Sequence, residues 1–344
     1  MRTQPRPISI KDIARIAEVS HSTVSRALRN SSLVNEETAK NIQRIARESG
    51  YQASAVARSL VTRQTLTIGV VVTNITDPFV SEVVSGIEET ANQHGYSVLL
   101  AESNADPERE QRVVQACAER RLDGIVVTSS RVGALYLTML SEMRVPILLV
   151  NNQHAGEFVH SVMIDNRAGS HLAVSHLIYL GHTRIGYIGD RFGHQSDKER
   201  QAGYHDAFKD AKLPSMPEHF VFGDGKAEGG YQGMLDLLDL PEPPTAVFCY
   251  NDMTAIGALH AIHSRGLQVP HDISIVGFDD IAFAQYTQPP LTTVRQPMRD
   301  MGRLAMESLI RLLSGKGSTE TIQVPADLIV RESTAPPSAK AKHK

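Results

Sequence analysis

The chain has 344 residues, 41% hydrophobic and 21% charged, a globular composition that excludes wholesale disorder and fibrous repeats. No apolar run approaches the roughly 18 residues of a membrane span, and the polar N-terminus lacks the apolar core of a signal peptide, so we expect a cytoplasmic protein of two or three domains. The net charge of −3 is uneven: residues 1–63 carry 11 Lys and Arg against 5 Asp and Glu, and the rest carries 24 against 33. Such a basic end indicates either a polyanion partner or a solvated basic face.

The first 50 residues predict three short helices. Apolar residues recur at helical spacing over residues 9–17, where Ser9 and Asp12 can form a capping box. After a break at residues 18–20, a second helix is expected from about His21 to Arg29, and a third over residues 36–48. Asn35 is the expected N-cap of the third helix, and Gly50 its C-cap. Two helices joined by a tight turn, with a third packed on them, predict a helix-turn-helix unit.

The second helix separates an apolar stripe from a polar face. The stripe consists of Val24, Ala27 and Leu28, and the opposite face of His21, Ser22, Ser25, Arg26 and Arg29. Arginine can bond both acceptors of a guanine, and Ser and His can bond base edges or phosphates, so this face suits a DNA major groove. Periodicity of this kind also occurs in unrelated three-helix clusters.

Two strings carry a family resemblance. Residues 10–28 read Ile-Lys-Asp-Ile-Ala-Arg-Ile-Ala-Glu-Val-Ser-His-Ser-Thr-Val-Ser-Arg-Ala-Leu, and residues 50–60 read Gly-Tyr-Gln-Ala-Ser-Ala-Val-Ala-Arg-Ser-Leu. The first resembles the headpiece of the lac repressor (LacI/GalR) family, and the second is similar to that family's hinge. The resemblance continues to about residue 333. It implies a DNA-binding transcription regulator, most often a repressor in this family.

The resemblance also implies which residues contact DNA. His21, Ser22 and Arg26 correspond to base-reading positions, and Leu60 to the family's leucine wedge, which unstacks a base step in the minor groove. A hinge helix over residues 54–60 is too short to be stable alone, so we expect it to order only against a partner hinge and DNA; the alternative is a plain linker with a core leucine. The full expected DNA-binding set is Ser9, His21, Ser22, Thr23, Ser25, Arg26, Arg29, Asn35, Ala57, Arg58 and Leu60.

From residue 67 onward, short β-branched runs alternate with helical stretches. The expected strands are Thr67–Val72, Ser97–Leu100, Gly124–Val127, Pro146–Val150, Ile185–Ile188, Ala246–Cys249 and Ile273–Val276. Apolar strands separated by helices predict parallel α/β sheets. The alternation of strands and helices begins again near residue 160. The expected fold is therefore an all-α headpiece followed by a periplasmic-binding-protein-like α/β body of two doubly wound subdomains.

The expected domain boundaries follow from this pattern. They are a headpiece (1–50), a hinge (51–63), a first subdomain (64–160 and 291–320), a second subdomain (161–290 and 321–333) and a disordered tail (334–344). The resemblance implies three crossovers between the subdomains. The tail has no leucine heptads, so a homodimer is expected on a pseudo-palindromic operator.

Polar residues follow several strands at the edge where doubly wound sheets bind ligands. The expected effector-binding residues are Asn74, Asp77, Phe79, Asn151, Arg200, Asn251 and Asp279. Each Asn or Asp could instead cap a helix. We favour capping for Asp252 and Asp280, and ligand contact for Asn251 and Asp279. Arg200 and Asp279 match ligand-binding positions of the family, although Arg200 could also be a surface arginine.

The donors and acceptors of this set suit a small sugar, with Phe79 stacking on its apolar face. A purine is the alternative effector, but Gly225 stands where purine-responsive relatives present an aromatic residue. No nucleotide-binding or hydrolase motif follows a predicted strand, so we expect no enzyme and no cofactor. His260 and His263 share a helix face without a third ligand, and Cys117 and Cys249 lie far apart, so neither a metal site nor a disulfide is expected. A periplasmic sugar-binding protein is the other alternative, disfavoured by the headpiece.

Overall fold

A computed structural model describes residues 8–28, 30–51, 64–130, 132, 145–153, 160–316 and 321–338. The chain forms two units, residues 1–65 and residues 66–344. Four expected DNA-binding residues, Arg29, Ala57, Arg58 and Leu60, lie outside the described residues, as do residues 52–63 of the expected hinge. In the described part of the chain, no helix is both long and apolar enough to cross a membrane.

The N-terminal unit contains the three predicted helices, α1 (Ile10–Ile16), α2 (His21–Leu28) and α3 (Glu36–Glu48). The predicted capping box at Ser9 and N-cap at Asn35 are confirmed, whereas the C-cap of α3 is Ser49, one residue before the expected Gly50. The Asp12 carboxylate accepts the Ser9 backbone N–H at 2.9 Å, and Asn35 Oδ1 accepts the Glu37 N–H at 2.8 Å. Gly50, just past α3, takes a left-handed φ of +65°, which glycine adopts without steric cost.

A small apolar core holds these helices together. Its buried members are Ile13, Ala14, Val24, Ala27, Ile42, Ile45 and Ala46. Two of the three residues of the predicted α2 stripe are thus fully buried, and the opposite side of α2 faces solvent. Burial of the apolar stripe therefore sets which face of α2 is free to meet a partner.

The body contains two six-stranded sheets. The strands of the first are β1 (Thr67–Val72), β2 (Ser97–Glu102), β3 (Gly124–Thr128), β4 (Ile147–Val150), β5 (Ser161–Ile164) and β11 (Thr321–Val324). They lie in the order β11-β5-β4-β3-β1-β2, and all strand pairs are parallel. The helices associated with it are α4 (Pro78–Gln93), α5 (Pro107–Glu119) and α10 (Met298–Leu313).

The strands of the second sheet are β6 (Ile185–Asp190), β7 (Phe220–Gly223), β8 (Ala246–Cys249), β9 (Ser274–Asp279), β10 (Thr292–Arg295) and β12 (Asp327–Ile329). They lie in the order β12-β10-β9-β8-β6-β7, and all pairs are parallel except β10–β12. The helices of this subdomain are α6 (Asn166–Tyr179), α7 (Gln195–Asp210), α8 (Ala227–Leu238) and α9 (Asp252–Ser264). Short 3₁₀ turns lie at Pro217–His219 and Ala282–Tyr286.

Close helix packing depends on glycine in both subdomains. A Cβ added to Gly86 of α4 would lie 2.1 Å from the Arg299 carbonyl oxygen of α10. A Cβ on Gly257 of α9 would lie 1.8 Å from the Ala227 carbonyl oxygen of α8. Any larger residue at these positions would force the helix pairs apart, because backbone atoms cannot move aside as a side chain can.

The strand pairing corrects the expected domain boundaries. β5 and β11 pair with each other in the first sheet, whereas the expected boundaries place residues 161–164 and 321–324 in the second subdomain. β10 pairs with β9 in the second sheet, although a return to the first is expected from residue 291. The chain crosses between sheets three times: after β5, between β10 and α10, and between β11 and β12. These strands are too short and too similar in composition for sequence to assign them to a sheet.

The expectation of disorder from residue 334 is wrong for its first residues. The Ala335 carbonyl accepts a hydrogen bond from His182 Nε2 at 2.9 Å, and the Ala335 N–H donates to Ser274 Oγ at 3.1 Å. His182 Nδ1 also bonds Thr245 Oγ1. A buried histidine and a buried serine therefore hold this segment against the second subdomain, whereas residues 339–344 lie outside the described residues.

Candidate functional site

The outer face of α2 presents polar side chains to solvent. His21, Ser22 and Arg26 are exposed, and Thr23 and Ser25 are half-buried. Ser20 directly precedes α2, and its Oγ accepts the Thr23 N–H at 3.1 Å. The same oxygen lies 2.7 Å from Ser22 Oγ and 2.8 Å from Thr23 Oγ1. The hydroxyls at the start of α2 are thus ordered by one capping serine. Five of the expected DNA-binding residues lie on this one short helix: His21, Ser22, Thr23, Ser25 and Arg26.

Ser9 and Asn35 serve first as helix caps. The Ser9 hydroxyl donates to Asp12 at 2.6 Å, and the Asn35 side-chain oxygen is used by α3. Ser9 is half-buried and Asn35 is exposed. Their expected phosphate contacts must come from atoms that the caps leave available.

A cleft of about 940 Å³ lies between the two subdomains of the body. It is lined mainly by residues at or just after the carboxyl ends of β1 to β4 of the first sheet and of β6 to β10 of the second. All seven residues expected to bind an effector lie in this lining: Asn74, Asp77, Phe79, Asn151, Arg200, Asn251 and Asp279. The carboxyl ends of parallel strands meet at one edge of each sheet, which is why positions far apart in sequence converge here.

Arg200, on α7, is 2% exposed, so its interpretation as a surface arginine is wrong. Its Nε donates to Asn166 Oδ1 at 3.0 Å, and its Nη1 donates to the Tyr250 carbonyl oxygen. The guanidinium lies 3.6 Å from the centroid of the Phe278 ring. Stacking and directed hydrogen bonds fix this cation in one orientation at the cleft wall.

Asp279, at the end of β9, is 6% exposed. Its Oδ1 accepts a hydrogen bond of 2.6 Å from Gln296 Nε2. Burial raises the pKa of Asp279 to about 7, the neighbouring Arg200 opposes this, and the Asp77 carboxylate adds to it. Burial also raises the pKa of Asp77, although backbone N–H groups at the start of α4 partly offset the effect. Two carboxyl groups therefore face one cleft from opposite subdomains.

The capping assignments of Asp252 and Asp280 are wrong, and Asn251, whose ligand contact stays a prediction, also caps a helix. Asn251 is the N-cap of α9: its Oδ1 accepts the Thr254 N–H at 2.8 Å and its Nδ2 donates to the Gly225 carbonyl at 2.9 Å. Asp252 is not a cap but a fully buried carboxyl that accepts the Ile281 N–H at 2.9 Å. Asp280 caps no helix and pairs with Arg295 and Arg331. The N-cap of α9 is thus Asn251, one residue before the expected Asp252.

The lining also includes residues that the sequence analysis missed, among them Gln153, Phe192, Tyr250 and Gln296. Gln153 spans the cleft: its Oε1 accepts the Ser196 backbone N–H at 3.1 Å and the Ser196 hydroxyl at 3.0 Å. Tyr250 and Gln296 directly follow β8 and β10. Their position at the end of a predicted strand could therefore have identified them as cleft residues. Phe192 and Gln153 have no comparable signal, because their positions depend on loop conformation.

The match to known families follows this two-unit organisation. Residues 9–54 match the family described as bacterial regulatory proteins, lacI family, and residues 174–334 match a periplasmic binding protein-like domain. CytR of Escherichia coli K12, an HTH-type transcriptional repressor, is 37% identical over 337 residues, which cover 97% of this chain and 98% of CytR. This chain belongs to the lacI family of bacterial regulatory proteins. Family membership makes it a ligand-responsive, DNA-binding transcriptional regulator and not an enzyme.

Solved structures of the lacI family share the fold. The lac repressor dimer bound to operator and the anti-inducer ONPF superposes with a TM-score of 0.88 at 28% identity, covering 96% of this chain and all of that one. A lacI-family regulator of Enterococcus faecium with bound ribose gives a TM-score of 0.72 at 27% identity, covering 79% of this chain and all of that one. The predicted fold class, headpiece plus two-subdomain α/β body, is confirmed.

Proposed function

We propose that this lacI-family protein is a homodimeric repressor whose cleft binds a small sugar as effector. The observation that carries the ligand class is the convergence of Arg200, Asp279, Asn151 and Gln296 on one cleft, since these groups direct hydrogen bonds to hydroxyls in fixed directions. The ribose bound in the Enterococcus faecium relative supports the same class.

The DNA-reading part of the proposal assigns base contacts to the exposed face of α2. His21, Ser22 and Arg26 read base edges, and Ser9 and Asn35 position the unit on phosphates. Thr23 and Ser25 complete the face, and Arg29, Ala57, Arg58 and Leu60 extend the set as sequence-based assignments. The lac repressor dimer on its operator supports a symmetric dimer on a two-fold site. Closure of the cleft on a ligand would reposition the two first subdomains and so change DNA affinity.

The test of DNA reading is selection of duplexes from a random pool by the full chain. We expect a pseudo-palindromic consensus, because a two-fold dimer presents two identical α2 faces. A consensus without two-fold symmetry would contradict the assignment of a symmetric dimer.

One observation favours a purine as the second candidate effector. Phe192 lines the cleft and is 53% exposed, so it offers an aromatic surface that the sequence analysis did not foresee. A flat base could stack on it even though Gly225 leaves the other aromatic position empty.

Calorimetry on the full chain separates the two candidates. We expect D-ribose or another small sugar to bind and hypoxanthine and guanine not to bind, with sugar binding lost in Asp279→Ala. Micromolar binding of hypoxanthine without any response to sugars, retained in Asp279→Ala, would contradict both the ligand class and the role of Asp279.

A further inference from the structure

The cleft carries more negative than positive side chains. Among the described residues, its lining contains the carboxyl groups of Asp77, Asp190, Asp224, Glu228 and Asp279. The lysine and arginine side chains there are Arg200 and Lys226, and His194 is paired with Asp190. Lys226 is exposed at the rim, and Asp224 lies 3.7 Å from Arg191. The deep part of the cleft therefore holds one cation, Arg200, with Asp77 and Asp279 nearby.

Arg200 is largely committed to the protein. Two of its N–H groups bond Asn166 Oδ1 and the Tyr250 carbonyl, and one face of its guanidinium is covered by Phe278. The guanidinium N–H groups that would form a bidentate contact with a phosphate are thus partly used by the protein. An anion entering the cleft would meet the remaining edge of Arg200 and two carboxyl groups.

Two further side chains in the lining offer oxygen atoms without a partner. Asn151 is 7% exposed and Gln296 2% exposed, and neither Asn151 Oδ1 nor Gln296 Oε1 has a hydrogen-bond partner among the described residues. The orientation of Gln296 is set by its Nε2, which donates to Asp279. A buried acceptor without a donor destabilises the protein, so a ligand that donates N–H or O–H groups to these oxygens would be bound favourably.

We propose that the cleft selects an uncharged ligand rich in hydrogen-bond donors and excludes the phosphate ester of the same ligand. This proposal rests on the proposed function, because it takes the cleft to be the effector site. Hydroxyl groups can donate to Asp279, Asn151 and Gln296, whereas a phosphate carries about −1.5 to −2 charges at pH 7 and mainly accepts. The environment already opposes negative charge, since burial raises the pKa of Asp279 to about 7. The effector would accordingly be a free sugar or similar polyol, not a sugar phosphate.

Matched ligand pairs test the selection directly. Calorimetry on the full chain would compare D-ribose with D-ribose 5-phosphate and D-glucose with D-glucose 6-phosphate. We expect each ester to bind about 100-fold or more weakly than its parent at pH 8, where Asp279 is largely ionised, because like charges placed together in a partly desolvated site are strongly disfavoured. An ester that binds as well as or better than its parent overturns the proposal, while leaving the cleft as the effector site.

A second measurement reports the charge of the cleft without any ligand. The chain contains no tryptophan, so Thr76→Trp, at an exposed position in the lining, gives a single fluorescent reporter beside Asp77. Tyr179→Trp, at a side chain 87% exposed on α6, is the matched control outside the lining. Quenching by iodide and by caesium is compared, each normalised to neutral acrylamide.

We expect the iodide-to-caesium quenching ratio to be about threefold lower in the Thr76→Trp protein than in the Tyr179→Trp protein, because an acidic cleft repels iodide and concentrates caesium. Equal ratios, or a higher ratio in the Thr76→Trp protein, overturn the proposal whether or not a sugar binds. If no sugar binds but the ratio is lowered as expected, the acidic cleft stands and the sugar assignment under the proposed function is contradicted instead.

Discussion

The helix-turn-helix unit and the cleft hold their functional side chains in opposite ways. On α2, His21, Ser22 and Arg26 are exposed. In the cleft, Arg200 and Asp279 are buried and bonded to neighbouring groups from several elements. An exposed side chain contributes to binding with little effect on folding, whereas a buried one contributes to both. Substitutions should therefore separate affinity from stability in the first region and not in the second.

The largest effect is expected for Arg200→Ala. It removes the partner of Asn166 Oδ1 and of the Tyr250 carbonyl and leaves a cavity over Phe278. We expect the free energy of unfolding to fall by about 3 kcal/mol, measured by urea denaturation followed by circular dichroism. The control is Arg167→Ala, whose exposed side chain pairs with Asp206 and whose loss should leave the melting temperature unchanged. An Arg200→Ala protein as stable as the parent would show that buried cleft residues can be separated from folding after all.

Arg26→Ala tests the other half of the comparison. We expect it to weaken binding to the selected operator by about 1–3 kcal/mol and to relax preference at one base pair per half-site, with no change in melting temperature. Arg44→Ala is the matched control, since Arg44 is an exposed arginine of α3 that pairs with Glu48 at 2.7 Å. Fluorescence anisotropy on operator and random duplexes measures both. Equal losses on the two duplexes would count against base reading by Arg26.

The pH dependence of stability sharpens the comparison at Asp279. Its pKa is about 7 in the folded state against an ordinary value of 3.8, so between these values the folded protein holds the proton more tightly than the unfolded chain. The contribution of Asp279 to stability is therefore present at low pH and is lost as pH rises towards 7. Asp279→Asn should increase stability on the order of 1–2 kcal/mol at pH 8 and have little effect at pH 4. Parallel pH profiles of parent and variant would rule this out.

The smallest effect is expected at Asn35, which combines both kinds of role. Asn35→Ala should destabilise the helix-turn-helix unit by about 1 kcal/mol, because α3 loses its N-cap. Asn35→Asp keeps a capping oxygen, so its stability should match that of the parent, but its carboxylate should weaken binding to all duplexes through repulsion of phosphates. Thermal melts and anisotropy at several salt concentrations distinguish the two variants. Full DNA affinity in Asn35→Asp would leave Asn35 as a cap only.

The sequence was sufficient where the structure depends on local periodicity. The helices of the N-terminal unit, the capping box of Ser9 and Asp12 and the cap at Asn35 are each decided within a few residues. The seven expected cleft residues also meet in one lining, because most follow apolar strands and parallel strands end at a common edge.

Only the tertiary structure decided the rest. Long-range pairing placed β11 beside β5 in the first sheet. Neither four-residue strand has a sequence pattern that predicts which strand it pairs with. The same long-range packing made Asp252 a buried carboxyl that accepts the Ile281 N–H, and brought Gln153 across the cleft to Ser196. Side-chain type and spacing therefore determined which residues reach the strand ends. Which of their atoms remain available to a ligand was determined by contacts between segments far apart in the chain, because a hydrogen bond formed there removes a donor or acceptor from the cleft.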